Sequence, residues 1–293
     1  MKLVVLGDVF LELSTVVSAA FTELSDDLLT HGNVAVAVGG SAANLAIAAT
    51  EHFADVCLAG CVGDDDLGDL LSGRLASSPV RALLRRKAGL PSGLAIYLRD
   101  RATAHAKGTR LLVVADPSAL SAFDSADAAA LREEVKEADF LAVDGYSLIA
   151  EPRRGATLEL MDAAREDGVA VVYDVVPHDG YRTRRPADLL EETARADVVV
   201  IEARTLNAYA GLPWTHEAGF ADAETAVLNA RRLLPRHHVF LRFGIGNADE
   251  TFLLAPDGSL KHYHTGYSET EEPRGFGDRL LAAELSSFTQ AQK

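Results

Sequence analysis

The sequence has few cysteines, a shortage of basic residues and no long apolar run, and each of these shortages excludes a class of protein. Its two cysteines, Cys57 and Cys61, are too few for a disulfide framework or for a zinc site with four thiolate ligands. No apolar stretch approaches the length that a membrane-spanning helix needs, so we expect no membrane partner. The first residues form a strand pattern without a basic leader segment, which predicts a cytoplasmic protein.

The charge balance of the 293-residue chain argues against nucleic acid as a partner. Acidic residues outnumber basic ones by 43 to 28, which gives a formal net charge of −15. A chain of this sign repels a polyphosphate backbone. The basic cluster Arg81–Lys87 is predicted to be the solvated face of a helix. Because 48% of the residues are hydrophobic, the chain can bury a sizeable core, and we expect a globular protein.

Short apolar runs alternate with helical patterns along most of the chain. Runs that are apolar at every position suit strands covered on both faces, and such strands form mainly parallel sheets with helices above and below. The alternation therefore predicts one α/β domain over residues 1–293, with helices on both sides of a central sheet. The predicted strands lie at residues 3–6, 140–143, 169–173, 198–201 and 239–241, and the predicted helices at 44–53, 67–75, 127–137, 157–166, 223–234 and 279–288.

Two regions interrupt this alternation, residues 10–38 and residues 92–114. The second region contains two strand patterns, at 94–98 and 110–114, joined by a polar stretch. Spacing alone predicts a β insertion in these places. We expect both regions to be excursions from the one domain.

Three glycine-containing motifs carry the chemical information. Gly39-Gly40-x-x-x-Asn44 begins a helical run, Val62-Gly63-x-Asp65-x-x-Gly68 follows an apolar strand, and Gly275-Phe276-Gly277-Asp278 precedes the last helix. Backbone amides that converge at a helix N-terminus can hold a phosphate, and an aspartate beside them can take a proton from an attacking hydroxyl. The last motif therefore favours phosphoryl transfer. Taken alone, it also fits an ordinary turn in which Asp278 caps the helix, and Asn44 alone fits a plain helix cap.

In this order, the three motifs resemble the signatures of the ribokinase (PfkB-type) family of carbohydrate and nucleoside kinases. The resemblance extends from residue 1 to about residue 285. It implies a ribokinase-like three-layer α/β/α fold, with a mainly parallel central sheet and a small β-sheet lid over the sugar formed by the two interruptions. It also implies an ATP-dependent kinase that phosphorylates a hydroxyl group of a small sugar or related polyol. The implied cofactors are ATP and Mg²⁺, with room for a monovalent cation.

The resemblance assigns roles to particular residues. Asp278 is implied to be the general base toward the acceptor hydroxyl. Three backbone amides are implied to stabilise charge on the transferred group, those of Gly275, Phe276 and Gly277. Four residues are implied to hold the sugar, namely Gly39, Gly40, Asn44 and, where relatives have an aspartate, Glu12.

The sequence departs from the family pattern around the nucleotide and the metal. Arg242 replaces the hydroxyl residue of a Thr-x-Gly nucleotide turn that ends here in Gly244. Arg274 could add a positive charge near phosphate. The Asn-x-x-Glu metal motif is missing, which leaves Glu202, with Asp174 as a second candidate, to orient the waters of Mg²⁺. Phe276 also replaces a small residue between the two glycines of the last motif.

Relatives continue beyond the last helix with further helices that wall the adenine pocket, whereas this sequence ends at Lys293. We therefore expect weaker nucleotide binding, unless a partner subunit replaces that wall. Exposed edges of lid strands often pair between subunits, so a homodimer through the lid is expected. Two other functions stay open. One is a nucleoside kinase in which Phe10, Tyr97 or Phe123 contacts a base, and the other is a sugar-binding or regulatory homologue without catalysis.

Overall fold

Two β-sheets organise the described part of the chain, one with nine strands and one with four. The computed structural model describes residues 1–17, 19–24, 29, 31–100, 110–176, 185–212, 220–245, 248–263 and 275–291. The strands are β1 (Lys2–Leu6), β2 (Phe10–Val17), β3 (Ala35–Gly39), β4 (Asp55–Gly63), β5 (Arg81–Lys87), β6 (Gly93–Asp100), β7 (Arg110–Val114), β8 (Phe140–Asp144), β9 (Ala170–Asp174), β10 (Val198–Glu202), β11 (His238–Ile245), β12 (Ala248–Leu254) and β13 (Leu260–Tyr263). The α-helices are α1 (Ser41–Ala49), α2 (Asp66–Ala76), α3 (Ser125–Lys136), α4 (Arg153–Glu166), α5 (Pro186–Thr193), α6 (Ala203–Tyr209), α7 (Phe220–Leu233) and α8 (Phe276–Ala291).

The large sheet has the order β13-β12-β11-β10-β9-β8-β1-β4-β5. Neighbouring strands from β11 to β5 run parallel, while β12 and β13 add antiparallel pairs at one edge. Successive residues of β1 enter opposite cores, because side chains of a strand alternate between its faces. Val4 and Leu6 pack with residues of α3 to α7 on one face, and Leu3 and Val5 pack with residues of α1, α2 and α8 on the other. The predicted three-layer α/β/α fold is confirmed.

The small sheet has the order β3-β2-β6-β7. Its central pair, β2 and β6, is parallel, and the two outer pairs are antiparallel. Phe10, Ala95 and Leu120 form a separate apolar cluster beneath one face of this sheet. Glu12 lies on the same face, because it pairs directly with Ala95.

The basic cluster Arg81–Lys87 is strand β5 at the edge of the large sheet, so the helix predicted there is wrong. Its apolar residues follow the period of a strand, since Leu83 packs against one core and Leu84 against the other. Charged side chains protect such an edge from pairing with another chain. Each basic residue of the strand also has a carboxylate partner: Arg81 pairs with Glu134, Arg85 and Lys87 with Asp127, and Arg86 with Asp69.

Three elements have no counterpart among the predicted ones: α5, α6 and β12. The two helices contain 8 and 7 residues, too few for a helical period to stand out in the sequence. Strand β12 begins with polar residues, and only its last part, Phe252–Leu254, forms an apolar run. None of the helices in the described ranges combines the length and the apolar character that crossing a bilayer requires.

Gly40 holds the junction between β3 and α1 in a conformation that only glycine adopts readily. Its φ is +108°, and a Cβ placed on it would lie 2.1 Å from the carbonyl oxygen of Asp8. Gly89, in the turn after β5, also has a positive φ of 78° but has open space where a Cβ would be. A side chain at Gly89 would therefore strain the backbone without touching a neighbour, whereas a side chain at Gly40 would also overlap the backbone of Asp8.

We predict that Gly89→Ala lowers the free energy of unfolding by about 1–2 kcal/mol through backbone strain alone. Gly40→Ala carries backbone strain at least as large and in addition forces the backbone of Asp8 to move, which costs roughly a further 1–3 kcal/mol. Urea denaturation of both variants measures the difference. Equal losses for the two substitutions would contradict the close approach of Gly40 to Asp8.

Candidate active site

Acidic residues collect where the central parallel strands end. Asp144 and Asp174 are the last residues of β8 and β9, and Asp8 lies just beyond β1. Ligands of open α/β sheets bind outside this carboxyl edge. A small cavity at the same edge is lined by Ser41, Asp144 and Asp174, together with Leu281 of α8.

The two motifs from opposite ends of the sequence meet at this edge. Ser41 Oγ donates a hydrogen bond of 2.7 Å to Oδ1 of Asp278, and the side chain of Asn44 also hydrogen-bonds the carboxylate. Gly275 has a φ of +60°, and a Cβ on it would lie 3.2 Å from Cβ of Asn44. The absence of a side chain at Gly275 thus lets the start of α8 approach the first turn of α1. We call the backbone of residues 275–277 the α8 socket.

Asp278 is half-buried, and its environment favours the protonated form. Desolvation raises the pKa of this carboxyl to about 6, although hydrogen bonds from Ser41 and Asn44 and the charge of Arg242 act in the opposite direction. A carboxylate that changes protonation near neutral pH can accept a proton from a hydroxyl during a reaction. The half-buried position keeps it within reach of a ligand.

Arg242 extends from β11 toward α8, and its positive charge acts on Asp278. Its Nη2 donates a hydrogen bond of 2.6 Å to Oε2 of Glu284, which is completely buried on α8. Its Nη1 lies 3.9 Å from Oδ2 of Asp174. Burial acts to lower the pKa of Arg242, but the charges of Glu284 and Asp174 outweigh it and raise this pKa. The guanidinium is therefore permanently charged.

The predicted sugar-binding residues lie next to Asp8, because Gly40 packs directly against the backbone of that residue. A Cβ on Gly39 would be 2.9 Å from Oε2 of Glu12, so the carboxylate of Glu12 lies directly against this glycine. Glu12 itself is buried. Gly40 then begins α1, which carries Asn44 toward Asp278. The structure thus brings Asn44 and Asp278 together and places Glu12 beside the glycine pair.

A buried charge network next to this site was missed in the sequence. Arg153 of α4 forms an ion pair with Asp8 and donates a hydrogen bond of 2.7 Å to Oγ of Ser147. Ser147 in turn donates two hydrogen bonds of 2.9 Å to Oδ1 of Asp144. Burial raises the pKa of Asp144, and the negative charge of Asp8 adds to this effect. Asp144 ends strand β8, and this position was the signal that could have found it.

The second motif has a structural role. Oδ1 of Asp65 accepts hydrogen bonds from the amide of Gly68 at 2.8 Å and from Oγ of Ser92 at 2.5 Å, and its Oδ2 accepts one from the amide of Ser92 at 2.8 Å. The carboxylate therefore caps α2 and fastens it to the start of β6. These contacts lower the pKa of Asp65, with the hydrogen bond from Ser92 as the largest cause.

The predicted nucleotide and metal residues are not gathered into one cluster. Glu202 forms an ion pair with Arg204, 2.5 Å from its Nε, and Asp174 faces the guanidinium of Arg242. Within the described ranges no group of three or more His, Cys, Asp or Glu side chains could hold a metal ion. These side chains do not fit a resident Mg²⁺. Gly244 lies in β11, paired with Asp249, and Arg274 lies outside the described residues.

The three aromatic residues considered for a base have different environments. Phe123 is 2% exposed and belongs to the main core. Phe10 is buried in the cluster beneath the small sheet. Tyr97 is half-buried and lies on the same face of the small sheet as Glu12. Of these three residues, only Tyr97 is both accessible and on the face of the small sheet that carries Glu12.

Comparison with known proteins agrees with the fold and with the motifs. The family described as "pfkB family carbohydrate kinase" matches residues 1–230. Fructokinase-2 of Solanum lycopersicum is 31% identical over 140 residues, which cover 47% of this chain and 40% of that relative. The matched part thus spans less than half of the length of the curated relative.

Solved structures resemble the chain over almost its whole length. Ribokinase from Giardia lamblia has a TM-score of 0.75 at 16% identity, covering 99% of this chain and 84% of that one. Anopheles gambiae adenosine kinase, solved in complex with P1,P4-di(adenosine-5) tetraphosphate, has a TM-score of 0.74 at 18% identity, covering 99% of this chain and 90% of that one. At such identities the likeness concerns the fold.

We predict that Asp278→Asn stabilises the protein above pH 6 and has little effect near pH 4. The folded carboxyl has a pKa of about 6, above the value of about 3.9 for an unfolded aspartate. The natural protein therefore loses stability as the pH rises through this interval, by up to about 3 kcal/mol. The asparagine variant avoids this loss, and urea denaturation at pH 4 and pH 8 measures the difference.

Asp257→Asn provides the matched control. Asp257 lies in an exposed turn, where hydrogen bonds from Ser259 lower its pKa, so this variant loses stability at pH 8. If Asp278→Asn behaved like Asp257→Asn, the desolvation of Asp278 would be refuted.

Proposed function

The chain belongs to the pfkB family of carbohydrate kinases, and on that basis we propose that it transfers the terminal phosphate of ATP to a hydroxyl group of a small sugar or related polyol. The observation that carries this proposal is the contact of Asp278 with Ser41 and Asn44. This contact joins the glycine pair and the α8 socket at one edge of the sheet. An acceptor hydroxyl and a phosphate can therefore be held within reach of one carboxylate.

In the proposed reaction, Asp278 takes the proton of the acceptor hydroxyl as its oxygen attacks the terminal phosphorus. The bond between that phosphorus and the bridging oxygen breaks, and ADP leaves. The amides of Gly275, Phe276 and Gly277 stabilise the negative charge on the transferred oxygens. The hydrogen bond from Ser41 keeps the carboxylate of Asp278 in one orientation.

The sugar is proposed to lie between the small sheet and the start of α1. Glu12 accepts hydrogen bonds from its hydroxyl groups, and Asn44 can both donate and accept them. Gly39 and Gly40 let the backbone approach the sugar without a side chain between. Because hydroxyl recognition depends on the placement of a few polar groups, these residues also determine which sugar is accepted.

The nucleotide is proposed to bind beside β11, with Arg242, Gly244 and Arg274 as its partners. The neighbouring adenosine kinase was solved with a molecule that contains adenosine and four phosphates, which supports an adenine nucleotide as the donor. The side chains described here do not fit a resident Mg²⁺ ion. We therefore give Glu202 no role in the reaction. Any metal ion that takes part would enter the site bound to the phosphates of the nucleotide.

A nucleoside is the second candidate substrate, and one observation favours it. Leu112 and Val114 pair with Tyr97 and Ala95, so they share the face that carries Glu12. They are 44% and 41% exposed. An apolar strip of this kind beside a hydroxyl-binding carboxylate suits the base of a nucleoside.

The test is a turnover assay with ATP and Mg²⁺ against fructose, ribose, sugar phosphates and adenosine. We expect conversion of a sugar, and a loss of about 10²–10⁴-fold in kcat for Asp278→Asn. We also expect kcat/KM to rise with pH through about 6, because Asp278 must lose its proton to act as a base. Asp257→Asn, the same change in an exposed turn, serves as the control with unchanged turnover.

Three results would contradict the sugar kinase proposal. Conversion of adenosine alone selects the nucleoside candidate. Sugar binding by calorimetry without ATP binding or turnover indicates a regulatory homologue. Full activity of Asp278→Asn would refute the role of this carboxylate.

We also propose that the chain forms a homodimer through the small sheet. The face opposite Glu12 is apolar across all four strands, with Val36, Leu13, Ile96 and Val113 in one row. Val36, Ile96 and Val113 are 46%, 38% and 49% exposed. A contiguous apolar face of this kind marks an interaction surface, and in a twofold symmetric dimer the same face of a second copy would cover it.

We predict that light scattering gives twice the chain mass for the natural protein and the single chain mass for Ile96→Lys, because the added charge must be desolvated in the interface. Leu228→Lys is the control, since Leu228 is 67% exposed on α7, away from the small sheet. A natural protein with the mass of one chain would refute the proposed dimer.

We place the reaction in the cytosol. Cys57 and Cys61 are buried free thiols, and burial is the main cause that raises the pKa of both, to about 11 and about 12. Such protonated thiols are unreactive and need no oxidising compartment.

A further inference from the structure

We propose that Arg242 binds the phosphoryl group being transferred and that Glu284 positions it there, so that this chain carries its own cation at the α8 socket. The inference rests on the proposed function and deepens it. It assigns a positioning role to Glu284, a residue that the motifs do not include. It also accounts for the disagreement between the side chains present and a resident metal ion.

The guanidinium of Arg242 is anchored at one end. Nη2 and Nε face Oε2 and Oε1 of Glu284, at 2.6 and 3.4 Å. This fork-to-fork arrangement fixes the plane of the guanidinium as well as its position. Glu284 is completely buried on α8, six residues after Asp278, so the anchor belongs to the same helix as the proposed base.

The other end of the guanidinium faces the socket. A Cβ on Gly277 would lie 3.6 Å from Nη1, so Nη1 stands against the first turn of α8 and no side chain of residue 277 lies between. Nη1 donates no hydrogen bond to any residue in the described ranges, and its carboxylate neighbour, Oδ2 of Asp174, is 3.9 Å away. One donor edge of Arg242 is thus directed at the place where the proposed reaction puts the transferred phosphate.

The charge of Arg242 is suited to this task. Phosphoryl transfer needs positive charge around the transferred oxygens, supplied in other enzymes by metal ions or by arginine. Glu202 is already paired with Arg204. Arg242 keeps its charge at every working pH and presents a planar fork that matches phosphate oxygens. A guanidinium fixed before the substrate arrives costs little reorganisation when charge develops.

A purely structural ion pair is the competing explanation, and binding of inorganic tripolyphosphate separates the two. The experiment is calorimetric titration of tripolyphosphate in the presence of a metal chelator, so that the protein supplies every positive charge. We expect the natural protein to bind, Arg242→Gln to bind at least tenfold more weakly, and Arg242→Lys to fall between them. Lysine keeps the charge and loses the fork.

Glu284→Asp tests the anchor without changing the net charge. The shorter carboxylate draws the guanidinium away from the socket, so we expect weaker tripolyphosphate binding than in the natural protein. Glu284→Asp should have no further effect in a chain that already carries Arg242→Gln, because Glu284 acts through Arg242. The conservative variants Arg242→Lys and Glu284→Asp keep the test valid if Arg242→Gln does not fold.

Arg81 and Glu134 provide the matched control pair. They form a similar two-bond ion pair, at 2.5 and 2.7 Å, at the edge of the large sheet. Arg81→Gln should lower stability without changing tripolyphosphate affinity. The inference is overturned if the natural protein does not bind tripolyphosphate without metal, or if Arg242→Gln and Arg81→Gln bind it equally well.

The outcomes also separate this inference from the kinase proposal. If tripolyphosphate binding depends on Arg242 but no sugar or nucleoside is converted, the phosphate-binding role of Arg242 is supported and the proposed kinase activity is refuted. If turnover depends on Asp278 but Arg242→Gln does not change tripolyphosphate binding, the proposed kinase activity is supported and the phosphate-binding role of Arg242 is refuted.

Discussion

The hydrogen bond from Ser41 to Asp278 joins two segments that are 237 residues apart in the chain, and the site depends on this connection. It requires α1 and α8 to pack side by side on one face of the large sheet. Close approach is possible because Gly275 offers no side chain toward Asn44. The same packing removes water from Asp278 and so sets the basicity of its carboxyl. The fold and the chemistry of the site therefore have one physical cause, the docking of the last helix onto the first.

Desolvation and charge oppose each other across the site. Burial disfavours the ionised forms of Asp278 and Asp144, while Arg242 and Arg153 hold positive charge beside them. Each arginine has its own carboxylate, Glu284 for Arg242 and Asp8 for Arg153. Positive and negative side chains are therefore held close together at the carboxyl edge of the large sheet.

The sequence allowed the layers to be predicted because buried parallel strands are apolar at every position, as in β1 and β8. The helix predicted at β5 was wrong, because the basic residues of this edge strand have the composition of a solvated helix face. The glycine motifs indicated Asp278 and Asn44, because two segments that approach each other closely, as at Gly275, leave no room for a side chain between them. Arg153 and Glu284 could not be found in this way. Arg153 is the first residue of α4 and Glu284 lies in the middle of α8, and only the tertiary packing shows that these two charged side chains are buried.

The parallel pairing of β2 with β6 has a consequence for how the protein assembles. Between these two strands the chain builds β3, α1, β4, α2 and β5, of which β4 and β5 belong to the large sheet. The centre of the small sheet therefore closes a long loop, which is entropically slow compared with forming a hairpin. The pairing of β2 with β6 is thus expected to be a late step of folding, and the small sheet is not expected to fold on its own.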